Sequence, residues 1–225
     1  MSKPRVPLYG VGINDADYVI AKHRQLEERL VSGRKKQQLI WICPYYQRWS
    51  SLLKRCYSKK THKKCPTYKD CTVCEEWLTF SVFKAWMETQ DWKGKQLDKD
   101  LVYRGNKLYS PTTCVFIRKE INIFLTDNKG NRGCWLIGTS FEKDTGKFKA
   151  YCNNPFTGKL ENLGRFVDEK LAHLTWKKRK YELACLIADT LPAVDDRVKY
   201  LLVKRYERFK VIEDIDVICV GEDDG

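Results

Sequence analysis

Three short apolar runs, each closed by a turn signal and followed at once by a long helix-period segment, most restrict what this chain can fold into. "CWLIGTSFEKDTGKFKAYCNNPFTGKLENLGRF" (134–166) breaks at Asp144-Thr145-Gly146 and again at "PFTGK" (155–159). Runs of that length bounded by Gly, Pro, Asn and Asp read as strands joined by tight turns. The next stretch, "VDEKLAHLTWKKRKYELACLIADT" (167–190), reads as a helix with Leu171, Leu174, Leu183 and Leu186 among its apolar positions. Three strands and a helix suffice for a small domain over 133–190.

Upstream the pattern changes. In "CPYYQRWSSLLKRCYSKK" (43–60), Trp49, Leu52, Leu53, Cys56 and Tyr57 fall on one helix face, while Lys54, Arg55, Lys59 and Lys60 lie off or beyond it. Gly10 and Gly12 in "LYGVGINDADY" (8–18) mark a loop, and Asn14-Asp15 a turn or cap. The middle of "KHRQLEERLVSGRKKQQ" (22–38) is expected to be a short helix ending at Gly33. Ser81 is placed to cap a helix holding Phe83, Trp86 and Met87. Ser110-Pro111-Thr112-Thr113 reads as a helix start after a turn at Arg104-Gly105-Asn106, and "RKEINIFL" as a short helix. "DNKGNRG" (127–133) is the natural linker, residues 194–210 have the spacing of a further helix, and "EDIDVICVGEDDG" (213–225) reads as a loose acidic tail.

With 225 residues, 43% of them hydrophobic, and with seven Trp, twelve Tyr and nine Phe, the chain can build real cores and is not a disordered polymer. No apolar run approaches the roughly 18 residues of a membrane span, and the opening residues lack the apolar core of a signal peptide. A soluble protein of a reducing compartment is expected. Its ten Cys then read as core thiols or metal ligands rather than disulfides. Residues 1–190 hold 36 Lys and Arg against 20 Asp and Glu, whereas 191–225 hold 6 against 9. A basic body with an acidic end points to a polyanion partner, nucleic acid being the commonest. The weaker reading is a merely soluble basic surface. In "HKKCPTYKDCTVC", His62, Cys65, Cys71 and Cys74 are spaced H-x2-C-x5-C-x2-C, a set that could hold structural zinc, against the alternative of free thiols.

Taken in order, "LYGVGINDADY", "CPYYQRWSSLLKRCYSKK", "PTYKDCTVCEEWLTFSVFKAWME" and "GKQLDKDLVYRGNKLYSPTTCVFIRKEIN" resemble the HNH homing-endonuclease-like proteins of tailed bacteriophages over about residues 8–125. "GTSFEKDTGKFKAY", "LGRF" and the helix around Ala172 are similar to the plant ethylene-response-factor type of DNA-binding domain. The resemblance implies an α+β chain in three parts. Residues 1–126 would form an HNH-like ββα-metal domain with a helical extension, 133–190 a sheet-plus-helix DNA-binding domain, and 191–225 a helix and tail.

It implies a metal finger on 96–125 in which an Asp and an Asn hold one divalent cation, Mg²⁺ or a similar ion, on the scissile phosphate while a His activates water. Asp98 matches the metal-ligand Asp and Asn106 the turn Asn that supports the site. Lys99 stands where the base His is expected, and Thr113 where a ligand Asn is expected, with Asn122 a further candidate for the shell. A free lysine is protonated at neutral pH, so Lys99 is a poor base and a better phosphate contact. His23, His62 and His173 are the other imidazoles that could serve.

Duplex DNA is the implied partner. Its contacts are expected from Lys54, Arg55, Arg104 and Lys107 in the first part, from Lys143, Lys147, Lys149 and Arg165 on the sheet, and from Lys177, Lys178 and Arg179 on the helix, with Trp135 and Phe148 stacking or packing. The resulting expectation is a DNA endonuclease in the cytoplasm of an infected bacterial host. The alternatives are a catalytically degenerate DNA-binding protein and an interaction protein aimed at a host factor through 191–225.

Overall fold

The computed structural model describes residues 6–29, 32–33, 35–126 and 134–207, so the expected linker at 127–133 and the acidic tail lie outside the described residues. The chain is α+β and divides into two compact units, Met1–Phe116 and Ile117–Gly225. Among the described residues no helix is long and apolar enough to cross a membrane.

The first unit is organised by α1 (Pro44–Tyr57), which begins with Pro44 in its first turn, where a missing N–H costs nothing. Trp49, Leu52, Leu53 and Cys56 are buried on its predicted face. Trp49 also donates its indole N–H to the Trp77 carbonyl at 2.7 Å, which satisfies the polar handle of a fully buried ring. Trp77, Phe80, Phe83 and Met87 complete this core, with Trp77 and Trp86 centroids 4.3 Å apart. Phe80, Phe83 and Met87 come from α3 (Phe80–Glu88). Ser81 does not cap α3; it lies inside the first turn, and Thr79 at the cap makes no side-chain bond. Asp15 does that work from 66 residues away, its carboxylate accepting from the Ser81 N–H at 2.9 Å and from the Ser81 hydroxyl. The loop bearing Asp15 is seated by Gly12, where an added Cβ would stand 3.0 Å from the Trp49 ring and closer still to Leu53.

Residues 22–38 are not a helix. They belong to an antiparallel hairpin, β1 (Ala21–Arg29) and β2 (Lys35–Ile42), and Gly33, expected as a helix stop, has φ +77 between the strands. Glu27, Glu28 and Arg29 suit a helix by propensity, but no apolar stripe exists for such a helix to bury, and pairing with β2 satisfies the backbone instead. After α1 come α2 (Lys59–Lys64) and four very short strands, β3 (Thr72–Val73), β4 (Gln96–Asp98), β5 (Leu108–Tyr109) and β6 (Val115–Ile117). β3 pairs parallel with β5, and β4 pairs with β6. The helix start expected at Ser110 is a single turn, with the Thr113 and Cys114 N–H groups both donating to the Ser110 carbonyl. Val115, Phe116 and Ile117, all buried, take the chain into a strand.

The second unit begins before the expected linker, with α4 (Lys119–Leu125). The division at Phe116 has a packing reason. Phe124 of α4 meets Tyr206 of α6 (Asp196–Glu207) at 5.4 Å, and Lys180 of α5 (Glu169–Asp189) donates to the Phe124 carbonyl at 2.5 Å. The predicted meander forms β7 (Thr139–Glu142), β8 (Lys147–Asn153) and β9 (Leu160–Phe166), antiparallel in that order. α5 packs on it through Ala172, Trp176, Lys180, Leu183, Ala184 and Ile187, all buried. The Leu register expected for this helix holds only in part, since Leu183 is fully buried but Leu186 is 47% exposed. Small residues let the sheet approach, and Gly138 (φ +81) lies directly under the Trp176 ring.

Candidate functional site

Strand β4 ends at Asp98, whose Oδ1 accepts the N–H of Asp100 at 3.0 Å and of Leu101 at 2.7 Å. The carboxylate thus closes the turn that leads away from the strand. Lys99 is 8% exposed, and its ammonium reaches both oxygens of Asp100 at 2.8 and 2.9 Å. Asn106 binds the far side of the loop. Its amide donates to the carbonyls of Lys99 at 3.3 Å and Leu108 at 2.5 Å, and its Oδ1 accepts the Leu108 N–H at 3.0 Å. Thr113 donates to the same Leu108 carbonyl at 2.7 Å and accepts from the Ser110 N–H at 3.1 Å. Asp98, Lys99, Asn106 and Thr113 therefore do gather around one loop, knotted at the Leu108 carbonyl.

Tyr109 lies under this loop, buried, with its phenol held well above its usual range by desolvation. Lys99 approaches its ring to 5.9 Å, and Arg55, arriving from α1, approaches it to 5.8 Å. Cys114 beside them has its thiol pushed up to about 11 by burial, so it serves as packing and not as a thiolate. Lys107 donates to the Thr67 carbonyl at 3.1 Å, while Lys54 and Arg104 are exposed.

The fit to a divalent cation can be judged from these donors. The resemblance implies a carboxylate and an amide or hydroxyl oxygen facing one ion. Here Asn106 Oδ1 and Thr113 Oγ1 are committed to the backbone, and Asp100 is neutralised by Lys99. Asp98 then stands as a single ligand, short of the implied set. Asn122 belongs to α4 in the second unit.

On the meander, strand register sorts the cations. Ala150, fully buried, shares its row with Thr139 and Gly164 on the side that meets α5. The neighbouring row, Ser140, Lys149 and Arg165, and the pair Glu142 and Lys147 lie on the opposite, outer face. Glu142 organises it. Its carboxylate accepts from the Arg165 guanidinium at 2.5 Å and stands 3.8 Å from the Lys149 ammonium, and the Arg165 bond holds it below the usual carboxylate range. Lys143 is exposed in the turn after β7. Trp135 and Phe148 are packing groups, forming a cluster with Phe141 at centroid distances of 5.1 to 5.6 Å.

The basic cluster of α5 divides. Lys178 is exposed and Lys177 half-buried. Arg179 instead clamps the helix to β9, donating to Glu161 at 2.7 and 3.0 Å and to Glu182 at 2.9 Å. That clamp, with Asn154 added, holds the Glu161 carboxyl down at about 2.

His62 is bonded to the Arg55 carbonyl at 3.0 Å, Cys71 is buried with its thiol toward the Thr67 carbonyl, Cys65 is exposed and Cys74 half-buried. Among the described residues no group of three or more His, Cys, Asp or Glu is close enough to hold a metal ion. His23 lies on exposed β1, and His173 bonds the Ile137 carbonyl at 2.7 Å and stacks on Trp176.

Sequence reasoning missed Tyr109, the Leu108 carbonyl and the arrival of Arg55 over the loop. The aromatic pairs formed by distant cations carry no local spacing signal. Compared with protein-family models, curated proteins and solved structures, the chain matches none.

Proposed function

We propose that this chain is a double-stranded-DNA-binding protein of the HNH homing-endonuclease-like class of tailed bacteriophages, acting in the cytoplasm of the infected host. The observation that carries this reading is the outer face of β7–β9, where Lys147, Lys149 and Arg165 stand in adjacent register positions on the side turned away from α5. A twisted sheet with such a face can lie in the major groove and neutralise phosphates. Lys in two of the three positions favours backbone contact over base reading. On this reading the loop at 98–113 is a retained scaffold: Asp98 shapes the turn, Asn106 ties its ends, and Lys99 adds a positive group beside Arg55.

Metal-dependent phosphodiester hydrolysis is the second reading, favoured by the way Asn106 and Thr113 converge on the loop that follows Asp98. One experiment separates the two. Purified wild type and Asp98→Ala are incubated with duplex DNA, with and without Mg²⁺ or Mn²⁺, and both binding and cutting are read. Binding without cutting is the expected result. Cutting that is lost in Asp98→Ala would establish the second reading, and absence of binding would overturn both.

A further inference from the structure

The β1–β2 hairpin is absorbed by none of the roles above, and its construction is unusual for a structural element. Its base is anchored: the Cys43 N–H donates to the Ile20 carbonyl at 2.8 Å, Cys43 is buried, and Ile20 packs on the core. Beyond Ala21 and Ile42 it buries almost nothing. Residues 22–25 and 35–41 are all exposed, including Leu39 at 49%, Ile40 at 62% and Trp41 at 42%. An isolated two-stranded ribbon is marginal in water, so this one is expected to gain its partner elsewhere.

The chemistry of the ribbon says what partner. Residues 21–42 carry six Lys and Arg against two Glu. Lys22 pairs with Trp41 and Arg24 with Gln38 across the strands. The Arg24 guanidinium donates to the Gln38 amide oxygen at 3.1 Å, and the Lys22 ammonium lies 5.9 Å from the Trp41 ring. Between those pairs the register shifts by one residue at Ile40, a bulge that increases local twist. Arg and Gln are the side chains whose paired hydrogen bonds read guanine and adenine edges, and a two-stranded ribbon fits the roughly 12 Å major groove. Nine residues of strand reach on the order of 30 Å, comparable with one helical turn of duplex.

We propose that the β1–β2 hairpin is a second DNA-reading arm that enters a groove of the duplex, with Arg24 and Gln38 toward the bases and Lys22, Lys35 and Lys36 toward phosphates. A protein partner or a second copy is disfavoured because charged residues, Lys above all, are depleted at the cores of such interfaces. This inference rests on the DNA-binding reading, and it commits to a surface separate from the sheet of the second unit.

The test uses full-length protein and a fluorescein-labelled duplex of mixed sequence, about 30 base pairs long, with anisotropy read from about 50 to about 300 mM salt. Three proteins are compared: wild type, Lys22→Gln/Arg24→Gln/Lys35→Gln/Lys36→Gln, and Lys147→Gln/Lys149→Gln/Arg165→Gln. The hairpin variant is expected to bind at least about tenfold more weakly, with the slope of log K against log salt reduced by about 3 to 4. Because the ribbon lies outside the core, its thermal midpoint is expected to match wild type, which guards against simple misfolding. If the hairpin variant binds like wild type while the sheet variant is weakened, the arm is overturned and the DNA reading stands. If wild type does not bind, both fall. If Leu39→Ser/Trp41→Ser breaks a wild-type dimer in sedimentation and leaves DNA binding unchanged, the ribbon is a self-association surface and the proposal is overturned.

Discussion

Gly138→Ala isolates the contact on which the second unit's sheet depends. The backbone there has φ +81, a left-handed conformation that costs an L-residue about 1 to 2 kcal/mol. The new Cβ would also fall within van der Waals contact of Trp176 Cγ and Cδ1, and 2.7 Å from Trp176 Cβ. Trp176 is buried and stacked on His173, so it cannot swing away without emptying its site. Overpacking of this kind costs about 1 to 3 kcal/mol. The two effects together come to about 2 to 5 kcal/mol, a large part of the roughly 5 to 15 kcal/mol that holds a domain. Gly146→Ala is the matched control, because its φ is +65 but an added Cβ meets nothing within 4 Å. It should lose only the backbone part, about 1 to 2 kcal/mol. Thermal unfolding followed by tryptophan fluorescence reads the difference, at about 4 to 8 °C per kcal/mol for a unit near this size. Equal losses in the two variants would refute the packing argument.

Three further outcomes are expected. Glu161 is held at about 2 by Arg179 and Asn154, against an ordinary value of 4.5, so its stabilisation is full above the ordinary value and is lost as pH falls from about 4.5 to about 2. Arg179→Met should flatten that part of the acid-unfolding curve, and an unchanged curve would count against the clamp. Asp15→Ala should cost about 1 kcal/mol in chemical denaturation through the lost cap on α3, whereas Ser81→Ala, which keeps the backbone bond, should cost less. Native thiol labelling at mildly alkaline pH should modify exposed Cys65 and Cys134 first. Cys56, pushed up to about 12 by burial, and buried Cys43, Cys71, Cys114 and Cys152 should wait for denaturant, and early labelling of Cys56 would contradict the packing of α1.

What could be read from the sequence was what local rules govern. The face of α1 followed from spacing alone, and the meander followed from Gly146 and the "PFTGK" turn, because each of these is decided by residues within a few positions of one another. The hairpin at 21–42 was misread because helix-favouring Glu and Arg and a following Gly give the same signal as a capped helix. Only pairing with β2 decides otherwise. Ser110-Pro111 likewise fits either a helix start or a lone turn, and the buried run Val115–Ile117 selects the turn. The site residues were legible as types and only partly as roles. Arg179 looked like surface charge until Glu161, 18 positions away, arrived opposite it, and Asn106 and Thr113 looked like ligands until both were found bonded to Leu108. Such roles are set by tertiary partners, which spacing does not encode.

The central claim is that the outer face of β7–β9 binds duplex DNA through Lys147, Lys149 and Arg165. Its most direct measurement is the salt dependence of the wild-type affinity beside that of the triple Gln variant. The account predicts a steep fall in wild-type affinity with salt, and a slope lowered by about 2.5 to 3 once three phosphate contacts are removed. A wild-type affinity insensitive to salt, or a triple variant with the same slope as wild type, would contradict it.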